Sequence, residues 1–267
     1  MEFGKLVQIN IRELWPHEER DFTPWLSDNL PELAKILGLD LELVGREVDV
    51  GGFFLDVLAR ETGTGRLVVI ENQFGASDHD HLGKLLTYAG GKQAGVLVWI
   101  AERVRDEHRQ AIEWLNDHTN DETIAFALEM TAFRIDTSKP VFQFKTVVEP
   151  NDWAKAQKTT TQQRQVTDRD QAYQAFFQIL LDELREKHRF TNARLGQPQS
   201  WYSFASGFRG MKYGASFAGD HRICAEIYFD TGDKEENKAR FDCLFARRDE
   251  LERNFGSPLG CVNNRLL

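Results

Sequence analysis

Asp56 and Glu71 are the residues whose types and settings call for chemistry. Asp56 interrupts the apolar run FFLDVLA, and Glu71 closes the run VVIENQ. A carboxylate inside an apolar strand is costly unless it meets a partner or a metal ion. Two such carboxylates on neighbouring strands repel each other, and a divalent cation relieves the repulsion. An all-oxygen donor set suits Mg²⁺ or Mn²⁺, with water completing the octahedron. An ion held there would lower the pKa of a bound water and polarise a substrate oxygen, the chemistry of metal-assisted hydrolysis.

The pairing depends on the elements around it. Residues 21–38 predict a helix, with Trp25, Leu26, Leu30, Leu33, Ile36 and Leu37 at spacings of three and four and Gly38 as the stop. Leu41–Val50, Phe53–Glu61 and residues 66–74 predict three strands. The turns between them, at Gly51-Gly52 and at residues 62–65, are short enough to make an antiparallel meander. Such a meander can set Asp56 beside Glu71. Because side chains alternate, Gln73 shares the face of Glu71 and Asn72 points the other way. Asp78 can cap a helix over residues 79–90, ending at Gly90-Gly91. The run VLVWIA in residues 95–102 suits a strand buried on both faces. A helix over residues 105–118 and strands over residues 123–135 and Val141–Val148 follow.

This order, together with Asp56 and Glu71, resembles the PD-(D/E)XK nuclease superfamily. There a helix precedes a three-stranded meander, a second helix and a further strand, with an Asp on the second strand and E-x-K on the third. The resemblance implies that Asp56 and Glu71 hold the metal. In this chain Gln73 stands at the lysine position, which makes an E-x-Q variant. RecB-like members carry Q-x-x-x-Y on the following helix. Here the pattern is Lys84-x-x-x-Tyr88, and the i,i+4 spacing puts both side chains on one helix face. The string IENQFGASDHDHLGKLLTYA followed by VLVWIA also resembles a bacterial family of unknown function, whose members join such a domain to a small α/β domain.

Three roles remain open around the missing lysine. Gln73 can orient the attacking water without bringing charge. Lys84 can supply the charge from the neighbouring helix. Or the site can be catalytically weak and serve binding. Each candidate also has a plain reading. Asp56 can be a backbone-bonded turn carboxylate, Glu71 the exposed end of a strand, Lys84 a solvated helix-face lysine, and Tyr88 a core ring with its hydroxyl at the rim. Glu19, ahead of the first helix, is read as a surface residue, although a leading-helix acid reaches the metal in some relatives. The Asp78-His79-Asp80-His81 run is read as a helix cap and polar first turn. Two residues apart on a helix, its histidines point about 200° away from each other.

The chain has 267 residues, 41% hydrophobic and 28% charged, which suits a soluble globular protein of two domains. Its formal net charge of −9 argues against a non-specific nucleic-acid coat. Residues 1–150 carry 15 Lys+Arg against 26 Asp+Glu, a balance of −11, and residues 151–267 carry 18 against 16, a balance of +2. Residues 151–167, rich in Thr, Gln and charge, read as a linker. The expected layout is therefore an α/β domain over residues 1–150, a mixed sheet flanked by helices and restriction-endonuclease-like, and a smaller α+β domain over residues 168–267. The second domain reads as a helix at residues 168–190, strands at 201–206, 212–218 and 223–230, and a long helix at 234–255. Its Trp201, Arg209 and Lys212 interleave aromatic and positive groups, a pattern that stacks bases and neutralises phosphates, although core aromatics and solvated cations give the same pattern. Cys224, Cys243 and Cys261 have neither zinc spacing nor a disulfide framework. No signal-peptide core or membrane-length apolar run is present, so the reading is cytoplasmic, with no membrane. DNA is the expected partner, and a homodimer stays open. The function that the resemblance implies is a Mg²⁺- or Mn²⁺-dependent nuclease acting on DNA in defence or repair. The alternative is a non-catalytic nucleic-acid-binding or protein-interaction module on the same fold.

Overall fold

A computed structural model describes residues 3–119, 122–150, 168–218 and 222–260. They belong to two compact units, Met1–Gln199 and Ser200–Leu267. The expected linker at residues 151–167 and Cys261 lie outside the described residues.

The first unit is built on a mixed seven-stranded sheet. It opens with strand β1 (Leu6–Ile9), a short helix α1 (Ile11–Leu14), a π-helical turn at Glu18–Phe22, and helices α2 (Thr23–Asp28) and α3 (Leu30–Leu37). Strands β2 (Leu41–Val50), β3 (Phe53–Glu61) and β4 (Leu67–Ala76) then form the expected antiparallel meander. Helix α4 (His79–Lys92) crosses over to β5 (Val96–Arg103), and α5 (Asp106–His118) to β6 (Ile124–Ile135). Both crossovers leave parallel pairs, as connections of that length require. The order across the sheet is β1-β6-β5-β4-β3-β2, with β7 (Val141–Val148) antiparallel to β6. Two cores sandwich the sheet. Phe22, Leu26, Leu30 and Leu33 pack against Val57, Ile70, Val98 and Ile100 on one face. Leu85, Tyr88 and Ile112 pack against Leu55, Val69, Leu97 and Trp99 on the other.

The structure differs from the periodicity in identifiable ways. The helix expected over residues 21–38 breaks at Asn29, because the ring of Pro31 would clash with the carbonyl of Ser27 and cannot donate to it. Gly90-Gly91 does not stop α4, which runs on to a left-handed cap at Gln93. Gly91 is needed for packing instead: a Cβ there would come within 2.5 Å of Val50 Cγ1.

Helix α6 (Asp168–Glu186) lies in the first unit, whereas charge and linker composition group it with the C-terminal part. The chain that follows it is held by the carboxylate of Asp40, which accepts from the Thr191 hydroxyl and from the Asn192 N–H at 2.8 Å. Contacts across some 150 residues leave no local pattern to read.

The second unit is a three-stranded antiparallel sheet in the order β10-β9-β8, made of β8 (Trp201–Ala205), β9 (Met211–Ala218) and β10 (Arg222–Phe229). Two helices follow, α7 (Lys234–Phe245) and α8 (Arg248–Phe255). The single helix expected over residues 234–255 is thus interrupted at Ala246-Arg247. This unit is smaller and mixes helices with an antiparallel sheet, as the composition implies.

Candidate metal centre

The β3–β4 ladder places the two carboxylates. Its last registered pair is Val57 with Ile70. One step further the strands would set Asp56 opposite Glu71, and there the ladder stops. In place of a backbone rung, Asp56 Oδ2 accepts the N–H of Asn72 at 2.8 Å. The side chain itself bridges the strands, which fixes its position beside Glu71. Glu71 is buried, and its Oε2 has no hydrogen-bond partner among the described residues. A buried, unpartnered carboxylate oxygen carries an unrecovered desolvation cost of at least about 1–3 kcal/mol. Burial raises the pKa of both carboxyls, and their mutual repulsion adds to the effect at Glu71. The pair therefore resists holding two negative charges at once without a cation.

Two further carboxylates approach. Glu18, in the π-helical turn, accepts the N–H of Phe74 at the end of β4. Its charge raises the pKa of Asp56 and of Glu71. Glu19 is exposed, in keeping with its reading as a surface residue, and its neighbour Glu18, which carries no sequence signal, is the acid that reaches β4. The π turn shifts the helical register by about one residue, and α-helical periodicity cannot anticipate that shift. Glu47 was not singled out at all. It lies between Arg46 and Val48, which pair with Val57 and Leu55, so it opposes Asp56. A bulge at residues 43–45 and a φ of 47° at Glu47 turn this stretch of β2, and neither leaves a sequence signal.

Helix α4 brings the cation. Lys84 Nζ is 3.9 Å from Glu71 Oε1. Its charge lowers the pKa of Asp56, Glu71 and Glu18. One turn further on, Tyr88 is buried, and burial with the nearby Glu71 and Asp56 charges pushes its hydroxyl up to about 12. It stays a neutral phenol at physiological pH. Lys84 and Tyr88 thus face the carboxylates together, as their spacing implies.

Gln73 is engaged elsewhere. Its amide donates to Ala76 O at 2.9 Å and to Asp78 Oδ2 at 3.0 Å, and its Oε1 accepts from Trp99 Nε1 at 2.9 Å. Both amide hydrogens are committed, leaving none for a water at Glu71. The residue ties the end of β4 to the cap of α4. Asp78 caps His81 N–H and pairs with its ring at 2.8 Å. Burial opposes ionisation of Asp78, but these bonds and the one from Gln73 outweigh it and hold its carboxyl at about 2. His79 turns instead toward His108, so the two histidines of the Asp78–His81 run do not converge. Gln73→Lys should place an ammonium in this buried network and strand the Trp99 N–H. The expected result is a loss of about 2–4 kcal/mol, read as a lower midpoint in urea with an unchanged slope.

The donor set fits a hard divalent cation. The donors are all oxygens, and one of them, Glu71 Oε2, is buried and unpartnered. Among the described residues no three His, Cys, Asp or Glu side chains form a ready ligand cluster. An Mg²⁺ or Mn²⁺ ion would therefore draw on Asp56 and Glu71, with water filling most of its shell.

In the second unit the three candidate nucleic-acid contacts are not brought together. Lys212 is buried and pairs with Asp230 at 3.5 Å. Trp201 and Arg209 are exposed, but Trp201 begins β8 and Arg209 lies in the turn beyond its far end.

Residues 172–264 match a family described as a domain of unknown function, DUF4268. No curated protein matches the chain. Among solved structures, the chain is similar to the crystal structure of a repair endonuclease from Pyrococcus abyssi, with a TM-score of 0.32 and 13% identity. That match covers 42% of this chain and 60% of the other. Among the described residues, no helix is long and apolar enough to cross a membrane.

Proposed function

We propose that this protein is a divalent-metal-dependent nuclease that hydrolyses phosphodiester bonds in DNA, through a site of the PD-(D/E)XK type. One observation carries the reading. Asp56 and Glu71 meet where the β3–β4 ladder ends, and Glu71 Oε2 is buried without a partner. Asp56 and Glu71 would hold Mg²⁺ or Mn²⁺, which supplies Lewis acidity toward a phosphate oxygen and an acidified water. The protein's own residues do the rest. The Asn72 N–H fixes the Asp56 carboxylate in place. Lys84 brings positive charge to within 3.9 Å of Glu71, and so takes the electrostatic role that the uncharged Gln73 cannot. The water gives up a proton as its oxygen bonds to phosphorus, one ester P–O bond breaks, and the departing oxygen takes up a proton.

The test is cleavage of plasmid, linear duplex and single-stranded DNA, with Mn²⁺ and with a chelator, by the full chain and by Asp56→Ala. Cutting that needs the cation and vanishes in Asp56→Ala is expected. No cutting of any substrate by the wild-type protein would overturn the reading in favour of a binding module.

A further inference from the structure

Beside the carboxylates, and sharing Glu18 with them, lies an open cavity of about 470 Å³ lined by Arg12, His17, Glu18, Glu19 and Arg20. Three of these residues are basic, in a unit whose overall charge is acidic. The Arg12 guanidinium lies over the ring of Phe74, 5.0 Å from its centre. The backbone N–H of that same Phe74 is the one Glu18 accepts. The stacking holds the planar group in one orientation beside the metal centre. Among the described residues neither Arg12 nor Arg20 has a salt-bridge partner. Positive charge also continues past Glu18, since His81, Lys84 and Arg12 all lie close enough to lower its pKa. The oriented Arg12 guanidinium, with Arg20 on the same cavity wall, matches the charge and fork geometry of a phosphate.

We propose that this cavity binds a second phosphodiester of the same DNA strand, flanking the one at Asp56 and Glu71, with Arg12 and Arg20 as its anchors. The inference rests on the nuclease reading and makes it more specific: the substrate is a polynucleotide strand that runs from the carboxylates across the π-helical turn, and not an isolated nucleotide. Glu19, on the cavity wall, opposes the phosphate and limits its affinity.

The experiment is fluorescence anisotropy of a labelled single-stranded oligodeoxynucleotide with the full chain in EDTA, over a range of NaCl concentrations. Each phosphate contact contributes a slope of about −0.7 in log K against log[salt] for single strands. Arg20→Ala should make the slope shallower by about 0.7, and the Arg12→Ala, Arg20→Ala double variant by about twice that. Glu19→Gln should tighten binding. If Arg12→Ala fails to fold, Arg12→Lys keeps the charge and should keep the slope, while Arg20→Ala, at an exposed position, still tests the cavity. Unchanged slopes in folded variants would overturn the proposal. So would displacement of the oligonucleotide by inorganic phosphate as effective as by unlabelled strand at equal phosphate content, which would mark a site for free phosphate. Binding needs no cleavage, so the two readings fail separately. A wild-type protein that cuts nothing but shows the slope changes loses only the nuclease reading. One that cuts DNA with slopes unaffected loses only the cavity.

Discussion

Glu71→Gln is expected to make the metal-free protein more stable and to abolish metal-dependent cleavage. Both effects have one cause. Burial, with Asp56 alongside, raises the Glu71 pKa above its ordinary value of 4.5. The folded protein therefore binds this proton more tightly than the unfolded chain does. Stability is then greatest below the unfolded value and falls as pH rises toward the folded one, because the unfolded chain releases the proton first. The amide has no such loss. Its advantage should be near zero at about pH 4 and grow to about 1–3 kcal/mol above neutrality, or several degrees in melting temperature. Half-exposed Lys84 loses little when its partner at 3.9 Å becomes neutral. Saturating Mn²⁺ should reverse the order, since a ligand at about 100 times its dissociation constant adds about 2.7 kcal/mol to the protein that binds it and nothing to the one that does not. Calorimetric melts of both proteins at several pH values, with and without Mn²⁺, make the comparison. If Glu71→Gln melts lower than wild type at pH 8 without metal, the carboxylate is a structural group and the centre is misassigned.

The legible part of this site was the part written in alternation and spacing. Asp56 and Glu71 stood out because each breaks an apolar strand, and two short turns fix the strands' order, so their meeting follows from local rules. Lys84 and Tyr88 stand out through the resemblance to the RecB-like Q-x-x-x-Y pattern, whose i,i+4 spacing sets both on one face of a capped helix. What escaped depends on irregular backbone or on distant chain. Glu18 faces β4 from a π turn, which no helical periodicity marks. Glu47 reaches the site through a bulge. The polar side chain of Gln73 suggested chemistry, but its role is set by Ala76, Asp78 and Trp99, and the last of these lies 26 residues away on another strand. The attachment of residues 190–194 through Asp40 is invisible for the same reason. The family match at residues 172–264 groups most of α6 with the C-terminal strands, whereas contacts place α6 with the first unit. Common inheritance and packing need not divide a chain at the same point.

Lys84→Ala separates a working cation from a solvated one. If the ammonium lies over the reaction, its loss should cost on the order of 10²–10³ in kcat, the effect of removing one preorganised electrostatic contact. The same substitution should strengthen metal binding. Lys84 offsets the negative potential of Asp56, Glu71 and Glu18, and without it that potential deepens. A slower enzyme that holds its metal more tightly is an outcome that a folding defect does not produce, because a loosened site loses both together. Lys84→Arg keeps the charge and should recover much of the rate, short of full recovery where the compact ammonium fits better than the planar fork. Titration calorimetry with Mn²⁺, set beside single-turnover cleavage at saturating metal, reads both quantities. If Lys84→Ala changes neither, the lysine is a helix-face residue, and the two carboxylates with their metal must account for the chemistry without a neighbouring cation.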